Sequence, residues 1–239
     1  MLIRKCVCGN RKYFRDININ DIELRKCKIC RVHHQKVNMT TEAYSNFYQF
    51  DYHTDHQTSI GCQPYTERYL HDLGVANIRV SSYEKLINNF DKARLLDIGS
   101  GNGAFVDACR EQGIDAYGID LGLLGNPVYT IKGKNFVNVD FENKKFNVIT
   151  MHDVFEHLVD PVSYLHKIYD TLSNDGYLVI DYPNYYVDAG KHHWRPIQHL
   201  WYMNNDEMVD LLEVNDYIVV GVHKPIASKV VFYCQKNRV

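Results

Sequence analysis

The sequence predicts an α/β fold in which a small N-terminal metal-binding ribbon precedes a doubly wound, mostly parallel seven-stranded sheet. Three observations support this prediction. Segments typical of strands and helices alternate from Lys92 to the end of the chain, as they do in parallel sheets that are covered on both faces. A glycine-rich turn follows the first of these strands, and four of the seven cysteines fall within the first thirty residues.

The composition is that of a globular protein. At 239 residues, with 45% hydrophobic and 23% charged residues, the chain can bury one large core and carry a small appendage. No run approaches the ~20 apolar residues that a membrane span needs, and Arg4 and Lys5 stand where a secretory signal would be apolar. We therefore expect a cytoplasmic protein whose cysteines are thiols or metal ligands.

The early cysteines form two close pairs, Cys6 with Cys8 and Cys27 with Cys30. Two pairs separated by a short loop suit tetrahedral Zn²⁺, so we expect a zinc-ribbon-like segment over residues 1–36. The alternative is a set of small buried thiols, for which so short a segment offers little core. The segment has ten basic and three acidic residues, a charge of +7, whereas the other 203 residues have 17 basic and 26 acidic residues.

Residues 37–91 are predicted to form an aromatic linker followed by two helices, near residues 64–73 and 81–90. The third region, residues 92–239, alternates between strands and helices. Its strands are predicted at Arg94–Ile98, Asp115–Asp120, Phe136–Asp140, Phe146–Thr150, Tyr177–Tyr182, Tyr217–Val222 and Val230–Gln235. Its helices are predicted at Gly103–Gln112, at Pro161–Leu172 with Asp160 as the cap, and after Asn204, where a capping-box-like pattern begins.

The turn after the first of these strands predicts a ligand held close to the backbone. Its alternate glycines are Gly99, Gly101 and Gly103. They also satisfy a dinucleotide-binding pattern, so the glycines alone do not name the ligand. Asp97 decides, because its carboxylate would repel a pyrophosphate and attract a ligand with an ammonium and a sulfonium group. Asp120 ends the next strand, where a carboxylate can accept both ribose hydroxyls; the alternative is a turn with solvated acids.

The glycine turn with Asp97 and Asp120 resembles the signature of class I methyltransferases that bind S-adenosylmethionine (SAM), and the resemblance covers roughly Lys92 to Tyr217. It implies a Rossmann-like methyltransferase fold, SAM as the cofactor and transfer of its methyl group. It also implies that the glycine loop packs under the methionine part, that Asp120 holds the ribose and that Asp140 and Phe141 contact adenine. The implied cofactor-binding residues are Asp97, Gly99, Ser100, Gly101, Asp120, Leu121, Asp140, Phe141 and His152.

The segment from Phe146 to Pro161 resembles the fourth-strand segment of the same family, especially of its ubiquinone-biosynthesis-like branch. Three interpretations stay open. His157 is a general base for the acceptor's hydroxyl proton, since its ordinary pKa of about 6.5 suits that role. Alternatively, Asp153, Glu156 and His157 bind Mg²⁺ or Mn²⁺, as Glu-x-x-Glu-His does in some branches. In the third interpretation, Glu156 and His157 only shape the entrance to the helix that follows.

A second group of candidate residues falls between residues 192 and 201, which include three histidines and both tryptophans of the chain. Long loops at this edge of a sheet tend to carry function. We interpret the stretch as a wall or lid of the acceptor pocket, with aromatic rings stacking on a flat or sugar-like substrate and His193 or His199 reaching the reacting oxygen. The alternative is a loop fixed by tryptophan and by histidines that are already hydrogen bonded.

The sequence thus predicts a SAM-dependent methyltransferase that acts on an oxygen of a small hydroxylated molecule, such as a sugar or sugar nucleotide. Its predicted catalytic residues are His157, His193 and His199. An RNA-modifying methyltransferase that holds nucleic acid with its basic ribbon is the alternative, which the acidity of the other 203 residues disfavours. A SAM-binding module without activity is a third hypothesis. The acceptor and the oligomeric state are not specified by the sequence.

Overall fold

The computed structural model describes residues 2, 5–19, 22–56, 63–64, 67–126 and 128–238. The chain divides into two compact units, each discontinuous in sequence. The first unit comprises Met1–Thr41, Asp153–Tyr169 and Leu178–Val239, and the second comprises Glu42–His152 and Asp170–Tyr177. The domain boundaries expected at residues 36 and 91 stay predictions.

The ribbon of the first unit is a four-stranded antiparallel sheet. Its strands are β1 (Ile17–Ile19), β2 (Ile22–Lys26), β3 (His33–Gln35) and β9 (Trp201–Tyr202), in that order. The first three follow one another in the chain, whereas β9 comes from the aromatic stretch that the sequence analysis assigned to a substrate pocket. His34 of β3 pairs with Trp201 of β9, and both side chains are buried. The ribbon is therefore completed by a strand that its own sequence does not contain.

The rest of the first unit contains two helices and an antiparallel strand pair. The elements are α4 (Pro161–Thr171), α5 (Asn205–Glu213), β10 (Tyr217–His223) and β11 (Lys229–Lys236). The predicted capping box of α5 is confirmed, because Asn204 Oδ1 accepts the Glu207 amide at 2.8 Å and Glu207 Oε2 accepts the Asn204 amide at 2.9 Å. These two bonds satisfy amides that the first turn of a helix leaves unpaired.

The second unit contains a parallel set of strands with helices. Its helices are α1 (Thr41–Asn46), which continues as a π-helix over Phe47–His56, α2 (Tyr69–Leu86) and α3 (Ala104–Glu111). Its strands are β4 (Arg94–Ile98), β5 (Asp115–Asp120), β6 (Thr130–Lys132) and β7 (Phe146–His152). In β4 the last four residues are all buried, the pattern of a strand in a sheet that is covered on both faces.

Two element predictions for this unit are wrong. One continuous helix, α2, replaces the two helices expected over residues 64–73 and 81–90, because no breaker interrupts Tyr69–Leu86 apart from the tolerated Gly74. The strand expected at Phe136–Asp140 is a single 3₁₀ turn over Phe136–Asn138, whose amide at Val137 is capped by the Asn135 side chain at 3.2 Å. The short β6, which the sequence analysis missed, forms the edge of the sheet instead.

With β8 (Leu172–Pro183), the main sheet has seven strands in the order β10-β11-β8-β7-β4-β5-β6. β4 pairs in parallel with both β5 and β7, and β5 pairs in parallel with β6. The other described pairs, β8 with β11 and β11 with β10, are antiparallel. The predicted fold class is confirmed. Within the described parts of the chain, no helix is both long and apolar enough to cross a membrane.

Candidate active site

The glycine loop after β4 needs glycine for its backbone. Gly99, Gly101 and Gly103 have φ values of 74°, 53° and 86°, in the left-handed region that residues with a Cβ rarely adopt. A Cβ on Gly103 would also stand 3.2 Å from Gly125 Cα. The Gly99 amide donates to the Ile119 carbonyl at 2.8 Å, which fixes the start of the loop on β5. Glycine residues and a main-chain hydrogen bond therefore set the conformation of the loop.

Asp120 ties this loop to the turn that follows β5. Its Oδ2 accepts the Gly101 amide at 2.8 Å, and its Oδ1 accepts the Gly122 amide at 2.6 Å. Since each carboxylate oxygen has two lone pairs, Asp120 keeps the capacity to accept ribose hydroxyls while it holds both loops. Ser100 lies beside it, and its buried hydroxyl has no hydrogen-bond partner among the described residues. Leu121, the next residue predicted to contact the cofactor, is partly exposed.

Asp97 is 3% exposed and belongs to a buried polar chain. Its Oδ1 accepts the Thr150 hydroxyl at 2.7 Å and lies 3.2 Å from His152 Nδ1. His152 Nε2 is 2.8 Å from the Tyr83 hydroxyl, and the Phe105 ring packs edge-on against the imidazole. The structure thus brings together two residues predicted from sequence. Thr150 could have been found from its position two residues before His152 on the same strand face, whereas the two aromatic residues had no such signal.

Asp140 and Phe141 do not follow a strand, contrary to the expectation. Asp140 is exposed, and its carboxylate accepts the Glu142 amide at 2.8 Å. The Phe141 ring packs against Phe136 and Phe146, with centroids 5.8 and 5.6 Å away. Their role as adenine contacts stays a prediction.

The four ribbon cysteines do come together. Cys6 Sγ is 3.3 Å from Cys30 Sγ, and Cys8 Sγ is 3.6 Å from Cys27 Sγ. All four sulfurs lie within 4.8 Å of one another, an arrangement that four ligands of one tetrahedral ion can adopt. The hydrogen bond between Cys6 and Cys30 lowers the pKa of Cys30 to about 5 and raises the pKa of Cys6, so Cys30 ionises before its neighbour.

A second cluster joins Glu156, His157 and His199. Glu156 is fully buried, and neither of its carboxylate oxygens has a hydrogen-bond partner among the described residues. His157 Nε2 and His199 Nε2 lie 3.9 and 4.0 Å from Glu156 Oε1. Burial and, to a smaller extent, the nearby charge of Asp181 raise the pKa of Glu156 to about 8. A carboxylate without a partner in such a place is costly, so it either takes up a proton or is neutralised by a cation.

The other ring nitrogen of each histidine is already engaged. His157 Nδ1 donates to the Gln198 carbonyl at 2.9 Å, and His199 Nδ1 lies 2.7 Å from the Tyr185 hydroxyl. Burial, with the nearby charges of His157 and Arg195, holds the pKa of His199 well below its usual value, so this imidazole is neutral at pH 7. Two imidazoles held in this way with Nε2 beside a carboxylate match the design of protein metal sites.

Asp153 is not part of this cluster. Its φ of 55° takes the backbone out of a helical path, so the spacing that would align Asp153 with Glu156 and His157 on one face does not apply. Its side chain pairs with Lys229 instead. The structure places His199, 42 residues further along the chain than His157, in the position expected for Asp153.

The aromatic stretch is more internal than expected. Trp201 is 1% exposed and its indole donates to the Leu158 carbonyl at 2.7 Å, so its predicted stacking on a substrate is wrong. Trp194 is half-buried and stacks on Tyr202, with centroids 4.7 Å apart. His193 is buried with its ring 6.3 Å from that of His199, and burial lowers its pKa to about 4. Tyr186, which precedes this stretch, is 48% exposed, so its ring is accessible to solvent.

Comparison with known proteins decides the family. Residues 67–221 match a family model described as a methyltransferase domain, which is more than half of the chain. The chain belongs to the class I SAM-dependent methyltransferases. The match spans the glycine loop, the buried chain around Asp97 and the histidine cluster, so these features of the methyltransferase lie within the family domain.

Curated relatives of this methyltransferase include two ubiquinone biosynthesis O-methyltransferases. The protein from Cereibacter sphaeroides is 29% identical over 101 residues, which cover 38% of this chain and 41% of the relative. The protein from Roseobacter denitrificans is 29% identical over 146 residues, 52% of this chain and 59% of the relative. The chain thus spans about half of the length of these relatives.

Solved structures agree on the fold of the methyltransferase. Mitomycin 7-O-methyltransferase superposes with a TM-score of 0.54 at 14% identity, covering 69% of this chain and 53% of that protein. A SAM-dependent methyltransferase from Archaeoglobus fulgidus superposes with a TM-score of 0.53 at 17% identity, covering 67% and 94% of the two chains. At these identities the likeness shows the fold alone.

Proposed function

We propose that this chain transfers the methyl group of SAM to a hydroxyl oxygen of a small acceptor, such as a sugar or sugar nucleotide. The observation that carries the proposal is the glycine loop after β4, with Asp97 before it and with Asp120 at the end of β5 accepting the Gly101 amide. The names of the relatives support oxygen as the methylated atom. The acidity of the chain outside the ribbon supports a small acceptor rather than a polyanion.

Two carboxylates and one hydroxyl would hold SAM in the second unit. Asp97, buried with His152 and Thr150 around it, would attract the positively charged methionine part, since the effective dielectric constant around it is low. Asp120 would accept the ribose hydroxyls while it holds Gly101 and Gly122. The hydroxyl of Ser100 would make the hydrogen bond that it lacks in the described structure.

Activation of the acceptor is assigned to Glu156, His157 and His199, which would hold a divalent cation through one carboxylate and two imidazoles. The buried carboxylate oxygens of Glu156, which have no partner among the described residues, support this fit. Such an ion lowers the pKa of a bound hydroxyl. Two nitrogen ligands suit Mn²⁺ or Zn²⁺ better than the Mg²⁺ that the sequence also suggested, because Mg²⁺ prefers oxygen.

The competing mechanism makes His157 a general base without any metal. His157 Nε2 would take the hydroxyl proton, since Nδ1 donates to the Gln198 carbonyl, and Glu156 would stabilise the resulting cation. Chelation separates the two mechanisms. EDTA treatment that leaves the proposed ribbon zinc in place, as checked by metal analysis, should abolish turnover, and Mn²⁺ or Zn²⁺ should restore it. Full turnover after complete removal of metal would leave only the base.

We propose in addition that Cys6, Cys8, Cys27 and Cys30 bind one structural Zn²⁺. The close approach of the four sulfurs supports this site. Metal analysis should find about one Zn²⁺ per ribbon, in addition to any metal at the histidine cluster. Replacing Cys27 and Cys30 together by Ser should remove it, and full zinc retention in that double variant would rule the site out.

One feature of the ribbon favours the RNA alternative. Phe14 is 40% exposed, and the cationic groups of Lys28 and Arg31 lie 5.6 and 4.9 Å from its ring centre. An exposed ring beside cations suits a stacked base and its phosphate. In contrast, Arg25 and Lys36 are paired with acids of the ribbon. A salt titration of RNA binding would detect phosphate contacts by a steep loss of affinity.

The test of the proposed function is a transfer assay with SAM that is labelled on the methyl group. The acceptors should include sugars, sugar nucleotides, phenols and a single-stranded RNA. We expect label in an alkali-stable product of a small hydroxylated acceptor, and much less label at low SAM concentration when Asp97→Ala replaces the native chain. Label in RNA alone would establish the alternative, and SAM binding without transfer to any acceptor in host extract would indicate a binding module.

A further inference from the structure

We infer that Gln35 in the ribbon is a positioning residue for the cluster of Glu156, His157 and His199. The inference rests on the proposed function only in taking this cluster as catalytic. Gln35 is the last residue of β3 and is 5% exposed. It acts on the cluster through the turn that precedes His199.

This turn has a strained backbone. The Gln198 amide donates to the Pro196 carbonyl at 2.8 Å, which closes a three-residue γ-turn around Ile197. Ile197 has a φ of 68°, a conformation that a β-branched residue adopts only where its surroundings enforce it. The Ile197 side chain is 42% exposed, so packing of that side chain does not enforce the turn.

Gln35 holds the turn in this conformation through two hydrogen bonds. The Gln35 side-chain carbonyl accepts the Ile197 amide at 2.8 Å, and the Gln35 main-chain amide donates to the Leu200 carbonyl at 2.8 Å. The Leu200 amide in turn donates to the Glu156 carbonyl at 2.7 Å. One ribbon residue therefore clamps the turn before and after His199, and the clamp reaches the backbone of Glu156.

Both histidines depend on the turn. It aims the Gln198 carbonyl at His157 Nδ1, which fixes the proton on that nitrogen and leaves Nε2 unprotonated toward Glu156. The residue after Gln198 is His199, whose Nε2 faces the same carboxylate. Without the Gln35 acceptor, Ile197 would relax to negative φ and the Gln198 carbonyl would turn away. Gln35 would thus set the tautomer and orientation of the His157 imidazole, a group that it does not touch.

The test compares Gln35→Met, which keeps the size but lacks the acceptor oxygen, with Gln35→Glu, which keeps an oxygen. The readouts are kcat, KM and the ¹⁵N imidazole shifts of His157 and His199 in the full chain. For Gln35→Met we expect kcat to fall about 10- to 100-fold, the range seen when residues that orient metal ligands are replaced. The ¹⁵N shifts of Nδ1 and Nε2 should change, and SAM affinity should stay the same. Gln35→Glu should restore most of kcat and most of the native ¹⁵N shifts.

Glu23→Gln is the matched control, because it breaks an exposed ion pair with Lys36 on the same ribbon sheet and should change neither readout. Should Gln35→Met fail to fold, Ile197→Pro removes the same amide and forbids positive φ in an exposed position, and the shifts should move in the same way. Unchanged shifts in whichever variant folds would overturn the inference. The shifts need no acceptor, so absent turnover in the native chain would refute the proposed function separately.

Discussion

The glycine loop and the histidine cluster use buried carboxylates in opposite ways. In the loop, Asp120 accepts two main-chain amides and Asp97 accepts the Thr150 hydroxyl and pairs with His152. In the cluster, Glu156 is fully buried, and no described residue donates a hydrogen bond to its carboxylate. The loop carboxylates are thus engaged by other protein groups, whereas both oxygens of the Glu156 carboxylate keep their capacity to bind a ligand. This difference supports the proposal that the loop holds SAM and the cluster holds a cation.

The largest effect should come from the cluster. His157→Ala should lower kcat by roughly 10²–10⁴, whether His157 is a base or a metal ligand, while SAM affinity stays near the native value because His157 is not among the residues proposed to hold SAM. Steady-state kinetics and calorimetry with SAM measure the two quantities. The exposed His166 of α4 provides the control, since His166→Ala should leave both unchanged. Near-native kcat in His157→Ala would end the catalytic role of the cluster.

Acid should weaken the ribbon that supports the cluster before it weakens the loop. Burial lowers the pKa of His34, next to Gln35, to about 4. The unfolded chain therefore binds a proton below pH 6.5 that the folded chain refuses, so stability present above pH 6.5 is lost as the pH falls to 4. The full loss is about 3 kcal/mol. Thermal unfolding from pH 7 to 4 should show a smaller decrease in Tm for His34→Phe than for the native chain; equal slopes would contradict the account.

Asp97→Ala should weaken SAM binding by about 1.5–3 kcal/mol, roughly 10- to 150-fold, because it removes a charge-assisted contact. Calorimetry gives the affinity directly. Asp91→Ala, which removes an exposed carboxylate just before β4, is the matched control and should bind SAM like the native chain. A native affinity in Asp97→Ala would remove the reason for choosing SAM over a dinucleotide.

The contrast also explains how far the sequence could be read. Asp97, the glycines and Asp120 are local signals, because strand ends and positive φ angles are encoded by neighbouring residues. The cluster is different. Residue type alone makes His199 a candidate. The spacing aligns Asp153 with Glu156 only if a helical turn joins them, and Asp153 has a left-handed backbone instead. The cluster forms because the fold brings together segments that are far apart in the sequence, so neighbouring residues do not reveal it.

Main-chain atoms account for most of what was missed. The Gln198 carbonyl orients His157, but every residue has a carbonyl, so no sequence pattern marks this one. The clustering of aromatic residues in a loop predicts a substrate contact for Trp201, whereas in the structure Trp201 pairs with His34 in the ribbon sheet. A strand of two residues has no periodicity from which to predict it. The prediction of a strand at Phe136–Asp140 is wrong because a capped 3₁₀ turn also buries the apolar side chain of Phe136.

The smallest effect should be on the frame of the loop. Gly103→Ala should cost about 1–2 kcal/mol of stability, because alanine at a φ of 86° is strained and its Cβ would meet Gly125. Gly74→Ala is the opposite control: nothing lies within 4 Å of that position in α2, so alanine should stabilise by roughly 0.5–1 kcal/mol. Denaturant unfolding of both variants distinguishes strain in the loop from a general effect of alanine.

Calorimetric titration of the native chain with SAM, S-adenosylhomocysteine and NAD tests the central claim most directly. The arrangement of Asp97 before the glycines and Asp120 at the end of β5 predicts saturable binding of the first two compounds at one site. It predicts no measurable binding of NAD, whose pyrophosphate Asp97 would repel. Saturable binding of NAD with no heat from SAM would contradict the account.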